Sequence, residues 1–280
     1  MARTWNAPAL ARHKARDGLC PLAMVTAYDA PGARIADAAG VDLILVGDSV
    51  ANVVLGYEST MQVTIEDLAH HTAAVARAKP TPFVVADLPW GTYHTGPSDA
   101  VRAAVRLVRA GAQAVKLEGG RNRVAVIEAI IDAEIPVMGH IGLTPQSVLA
   151  MGGHRVQGKS VDGAKHLVDA GRTLAEAGVF SIVVEGVPTA VGRAVTDTVP
   201  VPTIGIGAGP HTDGQVLVFH DLLGIEDRLR PRFVRRYAEL GTVATEAMRA
   251  YAEDVRARRF PTEAESYAAS EDLSAALEVY

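Results

Sequence analysis

The sequence predicts an α/β fold: a single (β/α)8 TIM barrel with a short N-terminal helix and a C-terminal helical extension. Three observations carry that expectation. Short, branched apolar runs alternate with amphipathic stretches through most of the 280 residues, and about eight such runs can be counted. Four of the runs stop on an acid: LILVGD at Asp48, FVVAD at Asp87, AVKLE at Glu118 and SIVVE at Glu185. Runs of this kind read as strands buried on both faces, so each acid should emerge where its strand ends. Closed into one barrel, the strands would aim all four acids into the same mouth.

The elements follow in order. The start, MARTWNAPALARHKARDG, is basic and lacks the continuous apolar stretch of a signal peptide. Its Arg/Ala content is compatible with a transit peptide, but ARDG runs straight into a strand, which favours a short leading helix over residues 1–21. The barrel is expected over 22–262. Its strand candidates are LAMVTA (22–27), LILVG (43–47), FVVAD (83–87), AVKLE (114–118), PVMGH (136–140), SIVVE (181–185), PTIGIG (202–207) and QVLVF (215–219). Amphipathic stretches at 30–40, 97–112, 123–134 and 161–178 lie between them, several ending in Ala-Gly or Gly, a fitting helix stop. GPHTDG leaves no room for a helix between the last two strands, so an open doubly wound sheet stays as the alternative. Residues 230–260 read as one or two charged amphipathic helices closing the barrel. The acidic, Ala/Ser-rich tail, 263–280, is either disordered or an oligomer contact.

Composition narrows the function. A net charge of -5 without a basic stripe argues against nucleic acid. No stretch approaches the roughly 20 apolar residues that span a bilayer, so no membrane partner is expected. The single cysteine, Cys20, excludes an internal disulfide framework and fits a reducing, cytoplasmic setting. No base stands beside it, and it reads as a small buried hydrophobe.

Asp48, Asp87 and Glu118 end successive strands, so they should be neighbours on the rim. Carboxylates crowded in a partly dry pocket repel one another, and a divalent metal such as magnesium is an economical partner for hard oxygen ligands. The alternative is helix N-capping by the aspartates. Lys116 lies two residues before Glu118 and faces the same side, into the barrel, where it needs a carboxylate: Asp87, Glu118 or that of a substrate. Glu185 ends a strand across the barrel, where a general base could stand, unless a salt bridge to Arg155, Lys159 or Lys116 occupies it. His140 is either a polar contact to substrate or a core histidine satisfied by backbone. His70 and His71 fall on a helix and suit core or surface roles. The glycines of GIGAG (205–209) lack the full dinucleotide spacing, and they either let backbone pack at the mouth or let a flat ligand approach. Two loops, 48–65 and 141–160, are longer than a barrel needs and leave the acid-bearing ends, as binding segments do.

These residues and their surroundings resemble the ketopantoate hydroxymethyltransferase family. The matching segments include VTAYDAPGARIADAAGVDLILVGDSV, VVADLPWGTY, AVKLEGG, PVMGHIGLTPQS, GGHRVQGK, VVEGVP and GIGAGPHTDGQVLVFHDLLGI, spread over about residues 22–225. One departure is Met61-Gln62, where a Leu-Pro pair is expected. The resemblance implies that Asp48, Asp87 and Glu118 lie around magnesium and that Asp48, Ser49, Asp87 and Lys116 bind the 2-oxoacid. It implies that Glu185 accepts the proton from carbon 3 of 3-methyl-2-oxobutanoate. The enolate, stabilised by magnesium, would take a one-carbon unit from 5,10-methylenetetrahydrofolate, giving 2-dehydropantoate and tetrahydrofolate on the route to pantothenate and coenzyme A. Family members form large rings, so a homo-oligomer, a decamer by resemblance, is expected.

Two rivals remain. The AYDAPGARIADAAGVDLILVGDS segment also looks like phosphoenolpyruvate mutases and isocitrate-lyase-like enzymes, which share magnesium and 2-oxoacid chemistry. Those lyases carry a reactive cysteine in a KKCGH-type loop, which this chain lacks. A non-catalytic ligand-binding barrel would be missing a metal or base position, and none is missing.

Overall fold

The computed structural model describes residues 5–226, 228, 231–269 and 277. Eight parallel strands close in chain order: β1 (Leu22–Thr26), β2 (Leu43–Val46), β3 (Phe83–Asp87), β4 (Ala114–Glu118), β5 (Val137–Gly142), β6 (Ser181–Glu185), β7 (Thr203–Ile206) and β8 (Gly214–Leu217). β1 pairs with both β2 and β8, so no strand is left with an open edge and the open-sheet alternative falls. The seven residues between β7 and β8 carry no helix, yet the two strands still pair in parallel, Ile204 beside Gly214.

The pleat divides each strand between two cores. Leu43, Leu45, Phe83 and Val85 point inward to the lower barrel, while Ile44, Val46, Val84 and Ala86 meet the surrounding helices. Those outer residues are branched or small and apolar, which is why the runs read as continuous hydrophobic strands rather than alternating ones.

The helices are α1 (Ala7–Ala11), α2 (Ala30–Ala38), α3 (Val50–Val53), α4 (Ile65–Arg77), α5 (Pro97–Ala110), α6 (Val124–Asp132), α7 (Val148–Met151), α8 (Val161–Glu176), α9 (Thr189–Thr198), α10 (Phe219–Leu222) and α11 (Leu240–Arg256). Local chemistry starts several of them. Asp29 accepts from the Gly32 amide ahead of α2, Thr64 and Asp67 form a reciprocal capping box on α4, and Ser160 caps α8. α2, α4, α5, α6, α8 and α9 pack around the barrel.

The N-terminal segment plugs the end of the barrel opposite the acids. Trp5 and Leu10 join Leu22, Met24, Leu43 and Phe83 in one buried cluster, and Trp5 Nε1 donates to Asp42 Oδ1 at 2.9 Å. Lys14 is buried beside it, 2.7 Å from Asp213 and donating to the carbonyls of Thr196 and Val201. Asp213 also accepts from the amides of Ala15 and Thr203, so the pair ties the leading segment to β7 and to the turn before β8.

Three expectations need correction. The helix expected within 230–260, α11, does not close the barrel: it has no buried residue, and Val243, Met248 and Tyr251 are more than half exposed. Its apolar positions face outward, so the amphipathic pattern was real but its partner is not this barrel. Cys20 is exposed rather than buried, because it sits in the extended link just before β1. β8 ends at Leu217, and Phe219 opens α10 instead of finishing the strand. Of the tail, residues 270–276 and 278–280 lie outside the described residues, and so does any test of their order or contacts.

Candidate active site

Strand parity delivers the polar residues to one mouth. On β3, β4, β5 and β6 the inward positions run 83, 85, 87; then 114, 116, 118; then 138, 140; then 181, 183, 185. Asp87, Lys116, Glu118, His140 and Glu185 therefore all continue the inward face of their strands, past the lower apolar layer. Asp48 reaches the same space by another route. β2 stops at Val46, and the chain turns so that the Asp48 amide donates to Asp87 Oδ2 at 2.9 Å. Neither aspartate caps a helix: Ser49 precedes α3 and Gly96 precedes α5, so the capping alternative fails.

A cavity of about 440 Å³ opens here, lined by Asp48, Ser49, Asp87, Lys116, Glu118, His140 and Glu185 among others. All seven sequence-predicted site residues thus share one space. Lys116 Nζ stands 2.9 Å from Asp87 Oδ1, which resolves its choice of carboxylate in this structure. Burial works against its ammonium, but Asp87, Glu118 and Asp48 together hold its pKa above the ordinary lysine value. Asp48 is pushed up to about 7, by burial first and then by the charge of Asp87. Glu118 is raised well above the usual carboxylate range by burial and then by Asp48. Ser49 Oγ lies 2.8 Å from Tyr28 Oη, which fixes its hydroxyl beside the acids.

His140 is not satisfied by backbone. Its Nδ1 lies 3.3 Å from Lys116 Nζ and 3.5 Å from Glu118, and its Nε2 lies 3.2 Å from Glu185 Oε2. Burial, then the neighbouring lysine, lowers its pKa, so the neutral imidazole is favoured. Glu185 makes none of the salt bridges weighed for it. The peptide around it is crowded: Leu143 donates to the Glu185 carbonyl at 2.8 Å, and a Cβ on Gly142 would come within 2.2 Å of that oxygen. Gly142, at φ 97°, is therefore the residue type that lets the end of β5 lie against Glu185.

Two functional residues escaped the sequence reading, Gln146 and Tyr93. Gln146 Nε2 donates to Asp48 Oδ2 and to the Leu88 carbonyl, its Oε1 accepts from Tyr93 Oη at 2.6 Å, and its amide donates to Glu118 Oε2. One buried residue from the loop after β5 thus holds two carboxylates, Asp48 through its side chain and Glu118 through its backbone amide. The available signal was its place in GLTPQS, inside a loop already marked as too long. Met61-Gln62, the noted departure, falls in a short 3-10 turn where Gln62 Oε1 caps the Ser59 amide. The GIGAG glycines are used by protein rather than ligand: a Cβ on Gly207 would sit 2.9 Å from the Phe233 ring and one on Gly209 would sit 2.7 Å from Thr189.

The donor set suits a small hard cation. Asp87 Oδ1 faces the cavity with only Lys116 Nζ beside it, Asp48 keeps one oxygen uncommitted by Gln146, and both residues line the cavity. Among the described residues no three His, Cys, Asp or Glu side chains close on a single metal position. The arrangement therefore fits an ion gripped by two aspartates, with its other ligands drawn from water and substrate, which is magnesium's habit.

A (β/α)8 barrel with its polar cluster at the C-terminal ends of the strands is the architecture of a barrel enzyme. Solved structures share the fold alone: a phosphonopyruvate hydrolase at 14% identity and TM-score 0.61, covering 98% of this chain and 95% of its own, and a 2,3-dimethylmalate lyase at 18% and 0.58, covering 98% and 96%. The chain belongs to the ketopantoate hydroxymethyltransferase family, whose sequence model matches residues 5–263. The 3-methyl-2-oxobutanoate hydroxymethyltransferases of Pyrobaculum calidifontis and Moorella thermoacetica are each 54% identical to it, over 86% and 88% of this chain and 91% and 92% of their own. That of Deinococcus radiodurans is 51% identical over 90% of both chains.

Proposed function

We propose that this protein transfers a hydroxymethyl group from 5,10-methylenetetrahydrofolate to 3-methyl-2-oxobutanoate, forming 2-dehydropantoate, with Asp48, Asp87 and Glu118 around a magnesium ion. The observation that carries the reading is one cavity holding the acid cluster, an internal ammonium and a separate carboxylate across the barrel. Lys116 and Ser49 bind the anionic end of the 2-oxoacid, the lysine acting as a buried, permanently charged counter-ion. Bound magnesium would supply Lewis-acid polarisation of the 2-oxo group, an effect worth several kcal/mol. Glu185 removes the proton from carbon 3, and His140 holds its carboxylate in place through Nε2, 3.2 Å from Glu185 Oε2. Water adds to the donor's methylene carbon, and both of its carbon–nitrogen bonds break with one proton going to each nitrogen. Carbon 3 bonds to the resulting formaldehyde carbon while the proton held by Glu185 returns to its oxygen to make the hydroxyl.

The lyase rival is poorly served by this chain. Its only cysteine precedes β1, at the opposite end of the barrel from the acids. The decisive experiment is exchange of the carbon-3 proton of 3-methyl-2-oxobutanoate in D2O with Mg2+, followed by NMR. The protein should exchange it, a non-catalytic barrel should not, and Glu185→Gln should keep substrate and metal binding while losing at least about 10²-fold in rate. Full exchange in that variant would remove Glu185 from the role of base.

The same proposal includes a cytoplasmic homo-oligomer, a decamer by resemblance. No described helix is long and apolar enough to cross a membrane. α11 presents Leu240, Val243, Met248, Tyr251 and Val255 to solvent, each at least 40% exposed. On the barrel no helix follows β7, and Gln215 and Ala23 face outward uncovered. An apolar helix face without a home in its own chain and an uncovered barrel flank support assembly between copies. Val243→Asp with Met248→Asp should lower the mass seen by sedimentation, and an unchanged mass would count against α11 as a contact.

A further inference from the structure

The cavity is larger than its proposed acceptor substrate. At about 440 Å³ it falls in the ~300–1,000 Å³ range of sites that enclose drug-sized ligands, whereas a five-carbon oxoacid has eight non-hydrogen atoms. The charged groups crowd the side made by β2, β3, β4 and β6. The opposite side, where β7, β8 and β1 end, is apolar: Ile206, Val216, Val218 and the ring of Phe233 line it. Phe233 packs against Gly207 so closely that a Cβ there would come within 2.9 Å of its ring, which holds the side chain in place.

Of the carboxylates in that outer half, Asp221, on α10, is the one that is half-buried and without a hydrogen-bond or ion-pair partner among the described residues. The other acids of the outer half are unsuited. Glu226 is taken up by Arg228, which approaches both of its oxygens, and Glu58 is exposed. Arg236, the cation whose charge reaches Asp221, is itself bound to Glu239 and to the Glu226 carbonyl. A sheltered carboxylate without a partner costs free energy unless a ligand supplies donors.

We propose that the outer half of this cavity seats the reduced pterin ring of the one-carbon donor, with Asp221 accepting from its N3–H and 2-amino group. This rests on the transferase reading given above. Those two pterin groups are adjacent donors on one edge, and they match the two oxygens of a single carboxylate. The ring is flat and packs against Phe233, with Tyr57 further along the same cavity. Seated there, the donor approaches the oxoacid from the apolar side, and the acid cluster stays with the acceptor.

The test separates the two substrates. In Asp221→Asn, which turns one acceptor into a donor facing the 2-amino group, the KM for 5,10-methylenetetrahydrofolate should rise at least tenfold. The KM for 3-methyl-2-oxobutanoate should rise less than threefold. 6-Methyltetrahydropterin, which lacks the benzoylglutamate tail, should compete with the donor in the wild type and lose at least tenfold in affinity in the variant. Phe233→Ala, on the other wall, should repeat the split if Asp221→Asn proves unfolded. Equal shifts in both KM values, or no shift while the wild type turns over normally, would overturn the seat alone. A wild type that exchanges the carbon-3 proton yet never consumes the donor would overturn the transferase reading, and the seat with it.

Discussion

Replacing Gln146 by Leu keeps most of the side-chain volume and removes every side-chain hydrogen bond that couples the loop after β5 to the acid cluster. Three buried groups lose their partner: Asp48 Oδ2, the Leu88 carbonyl and the Tyr93 hydroxyl proton. Orphaning a buried neutral group costs about 1–3 kcal/mol, and losing a bond to a charged one costs about 1.5–3. Taking values near the low ends, the substitution should destabilise the metal-free protein by about 4 kcal/mol. The amide at 146 still reaches Glu118 Oε2, so that contact should survive. Urea unfolding in EDTA measures the loss, read from a shifted midpoint at unchanged slope. Tyr93→Phe removes only the donor to Gln146 Oε1 and the weak acceptor of the Glu118 amide, and should cost about 1 kcal/mol. Because the two side chains are bonded to each other, the double variant should cost less than the sum of the singles. A Gln146→Leu loss below about 1 kcal/mol, or strict additivity with Tyr93→Phe, would refute the clamp.

Two further predictions rest on buried charge. Asp48 has its folded pKa raised to about 7 from an ordinary 3.8, so its contribution is fully present below 3.8 and is lost as pH climbs through about 7. Glu118 is shifted in the same direction. The unfolding free energy of the metal-free protein should therefore fall between pH 5 and pH 7.5, by up to ~1.4 kcal/mol per pH unit for one proton, with the thermal midpoint falling alongside it, and Asp48→Asn should flatten that slope. Mg2+ should raise the midpoint more at pH 8 than at pH 5.5, and a rise independent of pH would show that these carboxylates do not meet the ion. At the other end of the barrel, Lys14→Met strands Asp213, 1% exposed, and should cost about 3–5 kcal/mol in urea with little effect on the KM for the oxoacid; a cost under 1 kcal/mol would show that the amides around Asp213 suffice without the lysine.

How much of this was legible follows from what kind of signal each feature leaves. The strands announced themselves because a doubly buried strand is a run of branched apolar residues, and nothing else in a soluble chain needs such a run bounded by turns. Asp87, Glu118 and Glu185 were readable for the same reason: an acid at the inward position after such a run has only the mouth to enter. Lys116 was readable from parity with Glu118. Gln146 was not, because an uncharged amide in a loop has no periodicity, and its importance comes from three partners 53, 58 and 98 residues away or 28 by its backbone. α11 illustrates the opposite failure. Its amphipathic pattern predicted a face packed on the barrel, and the structure leaves that face exposed, because helical periodicity marks an apolar face without naming what lies against it. Cys20 failed because residue type alone was used, and the extended link before β1 leaves it in solvent.

The placement of charge also explains why the site is built from acids opposed by so few internal cations. Seven carboxylates line the cavity, four of them (Asp48, Asp87, Glu118 and Glu185) around the strand ends, and Lys116 is the one lysine lining it. The lysine cannot balance four charges, and the structure shows the consequence: Asp48 and Glu118 hold their protons to higher pH than ordinary carboxylates do. Acids that hold their protons to raised pH accept a divalent ion by releasing them, so affinity for the ion grows once the protons leave. Had the barrel supplied a second internal cation beside Asp48, the acids would be satisfied without metal, and the oxoacid would meet only a closed ion pair. The shortage of positive charge is thus what keeps the oxygen of Asp48 not held by Gln146 available to a ligand.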